Sequence, residues 1–245
     1  MKMRKFLIIN ILYLIFATSS FAQAKNKFEG FYLGVDAGRT IIKDHGYEDS
    51  PPDGPFGRYL NKNNLSGNLY GYHLGYNFSL DNIIGLKNFV FSTQFEFKKG
   101  INLKNDWSKQ IDSTTGMPST ECNYCTKTTF NESHSLIGKF GYLINEKNLI
   151  NIVAGLTDLR VKREVLYDVV ADPPIIRAQV TDKINSVPIY GVGFERIINN
   201  NLSFIIDTRH LESKTLKSSY TNSFNQNEYF KYKQKSLTAG INYRF

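Results

Sequence analysis

Charged side chains at every second position of otherwise apolar stretches are the first candidates for chemistry in this chain. Asp36, Glu96, Lys98, Lys139, Glu195, Asp207, Arg209 and Arg244 each fall on the polar side of an alternating segment. A lone charge in a low-dielectric interior is costly, so these groups must pair. The expected arrangement is an internal charge network, with Glu195 or Asp207 paired to Lys139 or Arg209. Acid/base catalysis or a gated ion path is the sharper alternative. A serine nucleophile needs a histidine base within hydrogen-bond reach, and Ser133-His134-Ser135 is the best neighbourhood. On a strand, however, His134 points away from both serines. His73 has Gly71 and Gly75 as same-face neighbours, and His210 and Ser213 differ in parity. Cys122-Asn123-Tyr124-Cys125 is a candidate short-loop disulfide in an oxidising compartment, with too few ligands nearby for a metal. Lys231, Lys233 and Lys235 share one face and are candidates for contact with lipid phosphates. No cofactor and no metal are expected.

The elements that position these groups are strands. Phe31, Leu33, Val35 and Ala37 alternate with Tyr32, Gly34, Asp36 and Gly38, and Phe89 to Lys98 repeats the pattern. Eight such segments are centred near residues 35, 73, 93, 137, 154, 190, 206 and 239. The steps between them are 38, 20, 44, 17, 36, 16 and 33 residues, long and short in strict alternation. An up-and-down membrane barrel has this rhythm, because its turns stay short on one side and its loops are long on the other. The long connections are expected at 42–66, 99–131, 160–185 and 212–230, rich in Asn, Lys and Ser, and suited to surface recognition.

The polar face decides the surroundings. In water it would be the solvated outside of a soluble barrel with an aromatic core. It carries Gly34, Gly75, Gly193 and Gly240 among other glycines, which suits a narrow lumen filled by side chains of mixed size. The apolar face then meets lipid.

Residues 1–24 read as a signal peptide. Lys2, Arg4 and Lys5 precede the apolar run Phe6 to Phe16, and small residues permit cleavage after Ala22 or Ala24. Loss of the three cations takes the net charge from +8 to +5. Residues 25–245 form one domain. Hydrophobic residues make up 41% and mean hydropathy is −0.33. No stretch reaches the ~18 apolar residues of a spanning helix. Export removes nucleic acid as a partner. Two cysteines cannot build a disulfide-dense scaffold.

Thr238-x-Gly240-x-x-Tyr243-x-Phe245 resembles the terminal-strand signal read by the barrel-assembly machinery of outer membranes. Gly30-Phe31-Tyr32-Leu33-Gly34-Val35-Asp36-Ala37-Gly38 resembles the first strand of the OmpA-like, opacity-type small outer-membrane barrels. Leu74-Gly75-Tyr76-Asn77-Phe78, Lys139-Phe140-Gly141-Tyr142 and Gly191-Val192-Gly193-Phe194-Glu195 are similar to later strands of that family. The resemblance implies an all-β fold: an eight-stranded antiparallel up-and-down transmembrane β-barrel with short periplasmic turns and four long extracellular loops. It implies a monomer in the outer membrane of a Gram-negative bacterium, in contact with outer-membrane lipid and lipopolysaccharide. The expected role is structural and surface-interacting, with loops presented to host or environmental ligands. A narrow porin-like channel is the alternative. Lipid A deacylases and palmitoyl transferases also occupy barrels of this size, but the missing dyad disfavours an enzyme.

Overall fold

The computed structural model describes residues 27–49, 59–101, 103–104, 108–109, 111–112, 125–168, 175–219 and 227–245. The expected signal segment, 1–24, lies outside the described residues.

Alternating residues build long strands: β1 (Gly30–Asp49), β2 (Tyr59–Ser79) and β3 (Phe89–Ile101). Two short strands follow, β4 (Ser108–Lys109) and β5 (Ile111–Asp112). Then come β6 (Cys125–Asn145), β7 (Asn148–Asp168), β8 (Ile175–Ile197) and β9 (Leu202–Glu212). A short β10 (Leu216–Ser219) precedes β11 (Asn227–Arg244). Eight of them, β1, β2, β3, β6, β7, β8, β9 and β11, pair antiparallel with their neighbours. Pairing of β1 with both β2 and β11, Val35 opposite Tyr72 and Ile241, closes the sheet. Closure leaves no free edge.

At one end the connections are tight and their chemistry is local. Asn145 Oδ1 accepts from Lys147 N and Asn148 Nδ2, both at 2.9 Å, between β6 and β7. Asn199 Oδ1 accepts from Asn201 N and Leu202 N between β8 and β9. Asparagine stabilises such turns by folding back on its own backbone. Between β2 and β3 the turn is a helix, α1 (Leu80–Ile84), ended by Gly85 at φ 71°, the left-handed conformation a helix terminus favours for glycine.

The four long connections lie at the other end, where expected, but the strands reach much further into them. β1 continues to Asp49 and β2 starts at Tyr59, inside the expected 42–66 loop. β7 continues to Asp168 and β8 starts at Ile175, inside 160–185. Likewise β6 begins at Cys125 and β11 at Asn227. The longest strand has 23 residues. At about 3.3 Å per residue and a tilt of about 40°, such a strand rises about 58 Å, more than twice the ~25 Å apolar band of a membrane barrel.

That band is visible on the outside. Outward positions are apolar over Tyr70–Phe78 on β2, Phe89–Phe97 on β3 and Leu237–Phe245 on β11, with Thr93 and Ala239 the small ones among them. Aromatic residues gather at its two borders, Phe78, Phe89, Tyr142 and Phe245 at the short-turn end, Tyr70, Tyr72, Phe97 and Tyr190 at the other, as in membrane barrels generally. The band stops at the first outward polar residues: Arg39, Asn68, Lys99, His134, Asp158, His210 and Lys235.

The interior is layered. Phe28, Val90, Leu149 and Ile197 form an apolar plug at the short-turn end. The charged groups occupy the middle. Above them the inward side chains turn apolar, with Ile42, Leu65, Leu69, Leu103, Phe130 and Tyr232 among a larger buried cluster. Higher still, buried Asp44 accepts from Arg163 and from Thr128, and the Arg163 guanidinium lies 5.0 Å from the Phe230 ring.

Candidate functional site

The charged layer hangs on strand parity: each member is the inward residue of its strand, and each is buried. Arg209 on β9 is the hub. Its Nη1 donates to both oxygens of Glu96 at 2.6 Å each, and its Nη2 to Asp207 Oδ2 at 2.8 Å. Lys139 Nζ stands 3.7 Å from Asp207. Lys98 Nζ lies 3.1 Å from Asp36 and 3.5 Å from Glu96. His73 links two groups, with Nδ1 3.2 Å from Asp36 Oδ2 and Nε2 2.7 Å from Asn242 Oδ1. Asn242 Nδ2 in turn donates to Glu195, which also accepts from Arg244 Nη2 at 2.6 Å and from Ser203. Four carboxylates thus face four permanent cations, and mutual attraction offsets the desolvation each would suffer alone. Of the pairings expected from sequence, Asp207 takes both Arg209 and Lys139, whereas Glu195 goes to Arg244.

Glycine makes the space. A Cβ on Gly34 would collide with the His73 ring and the Asn242 amide, and one on Gly193 with Asp207 and Asn151. Parity alone placed Lys98 and His73 inside. It did not single out Tyr32, whose hydroxyl donates to Gln94 at 2.9 Å, nor Asn242, nor the Asp44–Arg163 pair. All share the inward parity of their strands, and that signal could have found them.

Metal binding is the first chemistry to test. Ligand atoms of Asp36, His73 and Glu96 lie within 4.8 Å of one another. The Lys98 ammonium already contacts both carboxylates, and Arg209 occupies Glu96. A divalent ion there would add charge to a balanced cluster, so the residues do not fit one. Nucleophilic catalysis fares no better. Ser133 and Ser135 are inward and buried while His134 is outward, 5.1 Å from the Phe97 ring. Ser135 spends its hydroxyl on Thr157 at 2.9 Å. Two interior cavities lined by described residues measure about 20 and 10 Å³, each room for about one water.

Two other expected groups lie along β11 and its end. Lys231, Lys233 and Lys235 all lie on the outward face of β11, above the apolar band, with Lys231 ion-paired to Glu212 and Lys233 3.3 Å from it. At the opposite end, Thr238 is inward, Gly240 packs against Asp36 and Val35 of β1, and Tyr243 and Phe245 face outward. The Phe245 N–H donates to Phe31 O at 3.1 Å, and their rings lie 5.6 Å apart. Cys125 begins β6, but Cys122 and any bond between the two cysteines lie outside the described residues.

A closed eight-stranded barrel with an apolar belt outside and a charged interior filled by side chains is the architecture of small membrane barrels. The sequence profile of the outer membrane protein beta-barrel domain matches residues 11–245. The chain belongs to that family. Family members are outer-membrane proteins, and the belt and girdles described above are the surface such a barrel presents to lipid. Among solved structures, it is similar to Neisserial surface protein A (14% identity, TM-score 0.39, 88% of this chain and 97% of that one). It is also similar to OprG from Pseudomonas aeruginosa (9%, 0.46, 90% and 99%). A third is Ail, the attachment invasion locus protein of Yersinia pestis (13%, 0.33, 85% and 99%), solved with the heparin analogue sucrose octasulfate. A search of curated protein sequences returns no match.

Proposed function

We propose that the protein is a structural, surface-interacting barrel of the outer membrane that holds its strand-connecting loops well above the lipid. The observation that carries this reading is the filled outer storey. Six strands, β1, β2, β6, β7, β8 and β11, continue about 20 Å or more past the apolar belt (from the rise per residue and tilt given above), while β3 and β9 end just above it, and the interior at that level is packed with apolar side chains. A pore would need a continuous wet path. A catalytic barrel would need a cleft open to lipid or water. A rigid pedestal needs neither, and gains stability from a dry core.

Export by residues 1–24, assembly through the Phe245 terminus and a monomeric state complete the proposal. Cys122 and Cys125 would staple one loop. The loops' ligands are host or environmental surfaces, reached by the segments 50–58, 113–124, 169–174 and 220–226. The test has two arms. Purified barrel in planar bilayers is expected to give no single-channel current, and stable conductance steps would replace this reading with the channel. Cells bearing the protein with those four segments exchanged for Gly-Ser linkers are expected to lose surface adhesion while keeping the folded barrel. Unchanged adhesion would remove the interaction role.

A further inference from the structure

The cations just above the apolar belt are unevenly distributed around the barrel. On the β3–β6–β7 side, outward charges of both signs interleave, and Arg160 donates to Glu132 at 2.6 Å. On the β1–β11 side they are of one sign. Lys43 is directly opposite Lys233 in the register, Lys235 follows two residues on along the same face, and Arg39 lies diagonally beyond. Like charges across a strand pair are destabilising, and a sheet free to choose its residues would place a carboxylate there. The carboxylate at hand is Glu212, and it is spent on Lys231 and Lys233. Among the described residues Arg39, Lys43 and Lys235 have no ion-pair partner, and all three are exposed.

The apolar neighbours are as informative as the charges. Ile41 lies opposite Lys235 and Leu237 opposite Arg39, and these two apolar side chains are 49% and 54% exposed. Cation and hydrocarbon therefore alternate over one small patch at the level where acyl chains give way to headgroups. A free polyanion would use only the cations. A molecule with phosphates at the top of its acyl chains uses both.

We infer that Arg39, Lys43, Lys233 and Lys235, with Ile41 and Leu237 between them, form a binding site for the phosphate groups of the outer-leaflet glycolipid, lipopolysaccharide. The inference rests on the outer-membrane reading above. It differs from the lysine triplet suggested by sequence: Glu212 takes Lys231 as its nearer partner, and β1 supplies Arg39 and Lys43.

The experiment uses the whole barrel, folded in detergent and placed in nanodiscs, with bound lipopolysaccharide titrated at several salt concentrations. The variant Arg39→Gln/Lys43→Gln/Lys233→Gln/Lys235→Gln is expected to bind at least tenfold more weakly and to lose most of the salt dependence. The control Lys99→Gln/Lys162→Gln, on the other side, is expected to bind as the parent does. Glu212→Gln, which frees two lysines, is expected to bind more tightly. Dephosphorylated lipopolysaccharide should bind the parent as weakly as the phosphorylated form binds the quadruple variant, and millimolar inorganic phosphate should compete poorly. Unchanged binding by the quadruple variant overturns the site, as does equal loss in the control. Efficient competition by inorganic phosphate would reassign it to free anions. A parent chain showing no heat-dependent gel shift would instead overturn the outer-membrane reading.

Discussion

Arg209 on β9 and Glu96 on β3 meet across the lumen, one guanidinium nitrogen donating to both carboxylate oxygens at 2.6 Å. Neither strand neighbours the other in the sheet, so this bond braces the barrel along a diameter. Arg209→Met leaves Glu96 and Asp207 short of their main counter-charge, and removal of one partner of a buried pair costs about 3–5 kcal/mol. The expected result is a large drop in the urea midpoint, read by gel mobility without heating. Glu96→Gln/Arg209→Met should recover part of the loss, because it removes both charges. A single variant as stable as the parent would mean that Lys98 and Lys139 suffice to neutralise the layer.

Gly34 tests the packing of the same layer. A side chain there must displace the His73 ring or the Asn242 amide, and overpacking of this kind costs about 1–3 kcal/mol. Gly34→Val is expected to lower folded yield, and Asn242→Ala in the same chain to restore some of it by opening space. Equal yields for parent and Gly34→Val would show the lumen to be looser than its contacts imply.

The belt and its inward partner face were legible because lipid enforces the strongest period-two contrast a strand can have. Phe89 to Lys98 shows it residue by residue. Above the belt the alternation inverts, since outward residues meet water and inward ones an apolar core. There Lys43 and Asn64 stand outside while Ile42 and Leu65 pack within, and the segment reads as an Asn- and Lys-rich loop. Pairing partners inside were legible only as a class. Which carboxylate meets which cation depends on barrel shear and on side-chain reach across the lumen, as when Glu195 takes Arg244 from the end of β11 rather than Lys139.

The outer storey therefore makes its own prediction. Leu69 and Phe130 belong to its apolar cluster and are nearly inaccessible. Leu69→Ala or Phe130→Ala should cost about 2–5 kcal/mol through lost burial and the cavity left behind. The loss should be local: amides of β2 and β6 above the belt exchange faster, while those facing lipid stay protected. Uniform loss of protection over the whole barrel would mean that the two storeys unfold together.

Phe245 separates stability from assembly. Its ring is 55% exposed and contacts Phe31 from the outside, so Phe245→Ser should change the unfolding midpoint in detergent little. If the terminus is read by assembly machinery, the same variant should accumulate poorly in the outer membrane of cells. Normal cellular levels would reduce Thr238, Gly240, Tyr243 and Phe245 to an ordinary strand end.

Glu212 gives the outer end a dependence on acid. Hydrogen bonds from Lys231, then from Lys233, hold its carboxyl below the ordinary glutamate range, with burial opposing them. A carboxyl lowered by folding binds fewer protons in the folded chain, so its contribution is present above the ordinary value of about 4.3 and is lost as pH falls through the folded one. The group is exposed and salt screens it, so the effect belongs to the strand ends and not to the whole barrel. Backbone protection around the Ser213 N to Tyr232 O bond should fall in the parent as pH drops below the ordinary glutamate value of about 4.3. In Glu212→Gln it should be lower at neutral pH and flat over the same fall in pH. A parent profile as flat as the variant's would show that Lys231 and Lys233 leave Glu212 for other partners in solution.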